Sequence, residues 1–148
     1  METMKNAKSA ALEVPGMEVT LYKTETCMPC KPTIIKMDAH EVAFEPITIK
    51  FNDQHEPLPE SRPHLEYIKA ELGYVGSPVT VVKIDDRLRK FVPDFIEELA
   101  SSNMVNEFLS SLKATGLAHW HGFVPDRIQA VAHVQEALSA AHVKMAAA

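Results

Sequence analysis

The stretch VTLYKTETCMPCKPTIIKMDAHEVAFEPITI, residues 19–49, decides the fold because its hydrophobic period changes and then changes back. Residues 18–23 alternate apolar and polar side chains, which is typical of a strand, and residues 44–49 repeat that character. Between them, residues 30–42 place apolar side chains near helical spacing. The series predicts a βαβ unit in which the motif CMPC lies on the turn that opens the helix.

The chain continues after this unit with one helix and one strand. A polar loop with three prolines leads into residues 63–72, whose apolar side chains have helical spacing and which Gly73 follows as a stop signal. Residues 79–82 form a β-branched run and predict the next strand. The order β, α, β, α, β indicates the α/β class.

An internal repeat marks the second half of the chain. KFVPDFIEELA, residues 90–100, resembles GFVPDRIQAVA, residues 122–132. The residues between the copies predict an amphipathic helix that Asn103 could cap and Gly116 could end. We expect the second copy to form the end of the fold, with residues 84–116 as a helical insertion before it.

Length and composition predict a cytosolic protein of one domain. The chain has 148 residues, 46% of them hydrophobic and 24% charged, and it carries no apolar run long enough to span a bilayer. Its start lacks the apolar segment of a secretory signal. A formal charge of -5 argues against a nucleic-acid surface. We expect a flexible leader at 1–16, then one domain at 17–148.

The two cysteines predict a redox couple. A thiolate is stabilised at a helix N-terminus, so Cys27, at or near the N-cap, is expected to attack a disulfide and Cys30, one turn inside, to resolve the mixed disulfide. Lys31 adds positive charge, and Pro29 stiffens the bridge between the cysteines. Pro32 fits the first helical turn only because its missing N–H would be unpaired there.

Two other interpretations of the cysteines stay open. They could be half of a zinc site completed by His119 and His121, which alternate on one predicted strand face, or two unrelated core residues. The redox interpretation is favoured because the pair follows a strand and opens a helix in a βαβ pattern.

Three segments together resemble a known family: residues 19–49, then LGYVGSPVTVV, then HWHGFVPDRI. They are similar to the glutaredoxin-like NrdH redoxins, and the similarity covers about half of the chain. The resemblance implies a thioredoxin-like α/β fold with a four-stranded mixed sheet flanked by helices, to which this chain adds its insertion.

The resemblance also implies an activity. NrdH redoxins are dithiol electron carriers that thioredoxin reductase reduces with electrons from NADPH and that donate to class Ib ribonucleotide reductase. By that likeness the protein is a cytoplasmic thiol–disulfide oxidoreductase without a bound cofactor. We expect a monomer whose partners are thioredoxin reductase and ribonucleotide reductase or other protein disulfides, with no nucleic acid and no membrane.

Further site residues follow from the likeness. Pro78 aligns with the family's cis-proline, and Ser77 before it would pair with a bound substrate segment. Trp120 and Gly122 match the family's last strand, and we expect the Trp120 indole to help hold the loops beside the dithiol. Phe123 is expected to pack in the core.

Two alternative functions stay open. In a glutathione-dependent glutaredoxin a Gly-Gly turn would help to hold the tripeptide, whereas Gly122 and Phe123 stand in that place here. A thioredoxin-fold binding or redox-sensing module would instead use its insertion to bind a partner.

Overall fold

The computed structural model of the protein describes residues 14–147. Residues 1–13, most of the predicted leader, lie outside the described residues. Immediately after them, Val14 is buried, and the carbonyl of Gly16 accepts a hydrogen bond of 2.8 Å from the Asp85 N–H. These contacts fix the start of the described chain against the segment that follows the third strand.

Four strands form one mixed sheet in the order β2-β1-β3-β4. They are β1 (Met17–Thr24), β2 (Glu45–Ile49), β3 (Val79–Ile84) and β4 (Leu117–His121). β1 pairs in parallel with β2 and antiparallel with β3, and β3 pairs antiparallel with β4. Pro46 is accommodated because β2 is an edge strand, where a missing backbone donor is tolerated.

The helices of the described chain are α1 (Cys30–Ala39), α2 (Arg62–Glu66), α3 (Asn103–Thr115) and α4 (Pro125–Ala147). α2 continues directly into a π-helical stretch, Tyr67–Glu71, so the predicted helix at 63–72 is present with a wider last turn. Among residues 14–147, no helix combines the length and the apolar composition needed to cross a membrane.

α1 ends earlier than the sequence pattern predicts. The helix stops at Ala39, and Glu41 has a φ of 56°, which turns the chain out of the helical path. Val42 is nevertheless buried, because the turn returns it to the core. Val42 is therefore a core residue that follows the helix, and its prediction as part of the helix was wrong.

The two faces of the sheet carry separate apolar clusters because side chains alternate along each strand. Leu21 and Val82 lie on the face that packs against α1, α3 and α4. Tyr22 and Val81 point to the other face, where Ile68 of the π-helical stretch covers a smaller cluster. Helices thus lie against both faces of the sheet.

The segment between β3 and β4 is the predicted helical insertion. It contains two short 3₁₀ turns, Asp86–Phe91 and Glu97–Leu99, followed by α3. Its buried apolar side chains belong to the same cluster as the first face of the sheet: Leu88, Val92, Ile96, Leu99, Val105, Phe108, Leu109 and Leu112. The insertion therefore extends the core of the sheet.

The ends of α3 show one wrong prediction and one confirmed prediction. Ser102, and not Asn103, is the N-cap, and its hydroxyl accepts a hydrogen bond from the Val105 N–H at 3.4 Å. Gly116 ends the helix with a φ of 78°. A Cβ at Gly116 would lie 2.8 Å from the carbonyl oxygen of Ile84, so both the backbone conformation and the space require glycine.

The second copy of the internal repeat forms the end of the fold, as expected. β4 ends at His121, and α4 begins at Pro125 inside that copy. The first copy, residues 90–100, contains only short 3₁₀ turns and irregular backbone. With helices on both faces of a four-stranded mixed sheet and an added helical insertion, the protein has a thioredoxin-like α/β fold, which confirms the predicted fold class.

Candidate dithiol site

The two cysteines lie where β1 gives way to α1, and they are joined by a disulfide with a Cα–Cα distance of 5.3 Å. Cys30 is the first residue of the helix, and Pro29 occupies the N-cap position. Cys27 precedes the N-cap by two residues, near the cap as predicted, whereas Cys30 begins the helix and does not lie one turn inside it. The order of the cysteines relative to the helix mouth is unchanged.

The backbone of the first helical turn interacts with the outer sulfur. The N–H of Cys30 donates to the Sγ atom of Cys27 at 3.1 Å. Backbone donors at a helix N-terminus favour negative charge, so the same group would stabilise a thiolate on Cys27 after reduction. This contact supplies the electrostatic assistance that the sequence pattern predicts.

The two sulfurs differ in accessibility. Cys30 is only 3% exposed, whereas Cys27 is half-buried and borders exposed Met28. A disulfide of another molecule can therefore reach Cys27 but not Cys30. This asymmetry fits an attacking role for Cys27 and a resolving role for Cys30.

Local contacts fix the start of α1. The carbonyl of Pro29 accepts a hydrogen bond of 2.9 Å from the hydroxyl of Thr33, which is fully buried. Pro32 is the third helical residue, where an N–H would have no partner within the helix, so proline is tolerated there as expected. Lys31 is exposed beside the cysteines.

The loop before β3 reaches the same end of the sheet as the cysteines. The Ser77–Pro78 peptide bond is cis, as the resemblance implies, and Pro78 is buried. The Ser77 hydroxyl lies 3.1 Å from the hydroxyl of Thr24, the last residue of β1. The N–H of Gly122 donates to the Pro78 carbonyl at 2.8 Å. The fold thus brings Ser77 to the end of β1, three residues before Cys27, and places Gly122 against Pro78 on the other side of β3.

Trp120 lies one residue before the end of β4 and faces the core. It is 3% exposed, contacts Phe108 edge-on at 5.7 Å between ring centroids, and has the Arg127 guanidinium 5.8 Å from its ring. Its indole N–H has no hydrogen-bond partner among the described residues. The ring therefore supports the strand beneath the site, and among the described residues its indole makes no hydrogen bond to the loops. Phe123, expected in the core, is 41% exposed.

A cluster of three aromatic side chains lies beside the loop and was not predicted. The Tyr74 hydroxyl is 2.8 Å from Nδ1 of His119, and the Tyr74 ring stacks on His121 with centroids 5.9 Å apart. Nε2 of His121 is 3.2 Å from the position that a Cβ at Gly76 would take. The sequence showed only that the two histidines alternate on a strand; the contact with Tyr74 depends on tertiary structure.

The electrostatics of this cluster follow from burial. Burial raises the pKa of Tyr74 above its ordinary value. Burial, followed by the nearby Arg127 charge, lowers the pKa of His119. The lowered pKa favours neutral His119, which accepts the Tyr74 hydroxyl hydrogen when Nδ1 is the unprotonated ring nitrogen.

The zinc interpretation gains no ligand set from the fold. His119 faces Tyr74, and the cysteines are bonded to each other. Within residues 14–147, no group of three or more histidine, cysteine or acidic side chains is arranged to hold a metal ion.

These features define the class of protein: a small α/β protein of thioredoxin-like fold with a CxxC disulfide at the mouth of its first helix. Comparison of the chain with protein-family models, with curated proteins and with solved structures finds no match. The function is therefore argued from the site itself.

Proposed function

We propose that this protein is a thiol–disulfide oxidoreductase that carries electrons to protein disulfides. The proposal rests on the difference between the two cysteines. Cys27 is accessible, and its sulfur accepts a hydrogen bond from the Cys30 N–H, whereas Cys30 is buried. One sulfur can meet a substrate, and the other can act only after the first has reacted.

The reaction balances as two disulfide exchanges. The Cys27 thiolate attacks a substrate disulfide, which forms a mixed disulfide and releases one substrate thiolate. The Cys30 thiolate then attacks the Cys27 sulfur, which forms the Cys27–Cys30 disulfide and releases the second substrate thiolate. The substrate gains two electrons and two protons, and the protein dithiol is oxidised.

The partners are proposed on the resemblance to NrdH redoxins. The substrate would be ribonucleotide reductase, and thioredoxin reductase would restore the dithiol with electrons from NADPH. The protein would work in the cytoplasm as a monomer without a bound cofactor. Lys31 would favour the thiolate, and Ser77 and Gly122 would offer backbone groups to the substrate chain beside Pro78.

The test is an assay of NADPH consumption with insulin as the disulfide substrate. Thioredoxin reductase is supplied in one arm, and glutathione with glutathione reductase in the other. We expect turnover with thioredoxin reductase; turnover with glutathione alone would overturn the proposed reductase and favour a glutaredoxin. Inactivity in both arms would overturn the oxidoreductase itself.

Two matched variants assign the cysteines. Cys27→Ser should abolish turnover and form no mixed disulfide, because the attacking sulfur is gone. Cys30→Ser should lose turnover but trap a covalent complex with the substrate, which a non-reducing gel detects. The reverse pattern would exchange the two roles.

A further inference from the structure

The outward face of α1 is apolar, whereas the solvent side of a surface helix is normally polar. Met28, just before the helix, is 71% exposed, and Ile35 is 68% exposed. Pro32 and Ala39 are exposed as well. At 3.6 residues per turn, the three helical positions, Pro32, Ile35 and Ala39, lie within about 60° of one another around the helix axis, and Met28 precedes the helix by two residues. We name these four residues the α1 strip.

The core does not account for the α1 strip. The inward face of the same helix is formed by Cys30, Thr33 and Met37, all of which are buried. Those residues attach the helix to the sheet, so the apolar side chains of the strip are not needed for that packing. Single exposed apolar residues need no explanation, but three on one helix face, with a fourth just before the helix, point to an interaction.

The strip is continuous with the reactive sulfur. Met28 follows Cys27 directly, and a substrate disulfide must come into contact with Cys27 to react. The substrate chain beside that disulfide is therefore brought onto Met28 and the helix behind it. From Pro32 to Ala39 the rise along α1 is about 10 Å, which matches about three residues of extended chain.

The charges beside the strip narrow the choice of occupant. Lys31 is exposed next to Pro32, and half-buried Lys36 follows Ile35 on the other side of the row. Near Cys27 the two lysines disfavour a basic segment, and the carboxylate of Asp38 lies only beside Ala39 at the far end, so an uncharged or acidic apolar segment fits best.

Resting on the proposed function, we infer that the α1 strip is a docking surface for substrate proteins. Its occupant is a short apolar, non-basic segment adjacent to the substrate's redox-active cysteines. Docking holds the substrate disulfide at Cys27 and leaves the two exchange steps unchanged. The strip therefore selects substrates by the residues that flank their disulfides.

The test uses two synthetic peptides, each with one intramolecular disulfide flanked on both sides by five residues. The peptides differ only in three positions per flank, which are leucine in one and serine in the other. Protein reduced with dithiothreitol and then desalted is mixed with each peptide, and the second-order rate constant is measured by chromatography of the acid-quenched reaction. The small uncharged disulfide 4,4′-dithiodipyridine measures intrinsic dithiol reactivity.

Ile35→Lys removes the centre of the strip. The matched control is Val143→Lys, which adds the same charge at a 63% exposed position far along α4. Neither change touches the core, and equal melting temperatures would confirm intact folding. The wild type should prefer the leucine peptide by about fivefold or more, as expected for burying part of an apolar side chain. Ile35→Lys should reduce that ratio to about one, whereas Val143→Lys should keep it.

The outcomes separate the inference from the proposed function. Loss of the preference in Ile35→Lys alone, with unchanged reactivity toward the small disulfide, supports the docking surface. A wild type that reduces both peptides equally, or a preference that survives Ile35→Lys, overturns the docking surface and leaves the oxidoreductase standing. A wild type that reduces neither the peptides nor the small disulfide overturns both.

Discussion

The backbone N–H of Cys30 points at the sulfur of Cys27 from 3.1 Å, so the first donor of α1 serves the reactive atom. The same residue keeps its own sulfur buried. One residue therefore supplies both the electrostatic support and the protected second thiol.

This asymmetry predicts selective alkylation. In the reduced, folded protein, iodoacetamide should modify Cys27 at least about ten times faster than Cys30, because alkylation needs an accessible thiolate. Mass spectrometry of the digested protein measures the two rates. In urea-denatured protein the two rates should converge. Equal rates in the folded state would contradict the burial of Cys30.

The contact between the Thr24 and Ser77 hydroxyls predicts a coupling between β1 and the proline loop. Thr24→Val and Ser77→Ala should each lower the free energy of unfolding, and a double-mutant cycle should give a coupling of about 0.5–1 kcal/mol. Urea unfolding followed by circular dichroism measures all four proteins. Ser110→Ala, at an exposed position of α3, is the control and should change stability by less than about 0.5 kcal/mol. Strict additivity would show that the contact does not stabilise the loop.

The lowered pKa of His119 predicts acid sensitivity. Its pKa in the folded protein lies below the ordinary value of 6.5, so the unfolded chain binds more protons as the pH falls below that value. The free energy of unfolding should therefore decrease from pH 6.5 downward, until the pH reaches the folded pKa. Above pH 6.5 this contribution is fully present.

The control for His119 is an uncharged side chain. His119→Asn keeps an acceptor for Tyr74 and cannot take a proton, so the slope of stability against pH should become shallower in that window. Part of the slope should remain, because burial also lowers the pKa of His40. Urea unfolding at pH 5.5 and 7.5 measures the change. An unchanged slope would exclude His119 as its source.

Two glycines distinguish the cost of a left-handed backbone from the cost of a steric clash with a Cβ atom. Gly116 and Gly73 have φ values of 78° and 79°, but a Cβ would meet the Ile84 carbonyl at 2.8 Å only in the first case. Gly73→Ala should cost about 1 kcal/mol for the left-handed backbone alone. Gly116→Ala should cost more, because α3 and β3 would have to separate. Equal losses in urea unfolding would mean that the insertion adjusts freely.

The sequence predicted the elements of the fold better than their ends. The βαβ unit follows from the change of period across residues 19–49, and the second FVPD copy was favoured because Gly122 begins it and Trp120 precedes it. The end of α1 was missed because the residue with a positive φ is Glu41, so the sequence has no glycine there to indicate a turn. Propensity alone does not predict such a turn, since tertiary packing stabilises it.

The features of the site that depend on neighbouring residues in the sequence could be predicted, whereas those that depend on tertiary contacts could not. The order of Cys27 and Cys30 follows from their spacing, and the cis Pro78 from the resemblance. Tyr74 and His119 are 45 residues apart, so their contact forms only when the loop folds onto β4. The burial of Trp120 depends on Phe108 of the insertion, whose packing no local pattern specifies.

The insertion also determines what the chain's intrinsic fluorescence can report. The sequence contains a single tryptophan, and its ring contacts Phe108 of α3 and lies on the sheet face that α1 shares. Emission from Trp120 therefore reports on the packing between the insertion and the sheet. A change in emission on reduction would show that breaking the Cys27–Cys30 bond alters the packing of α3 against the sheet face that α1 also covers.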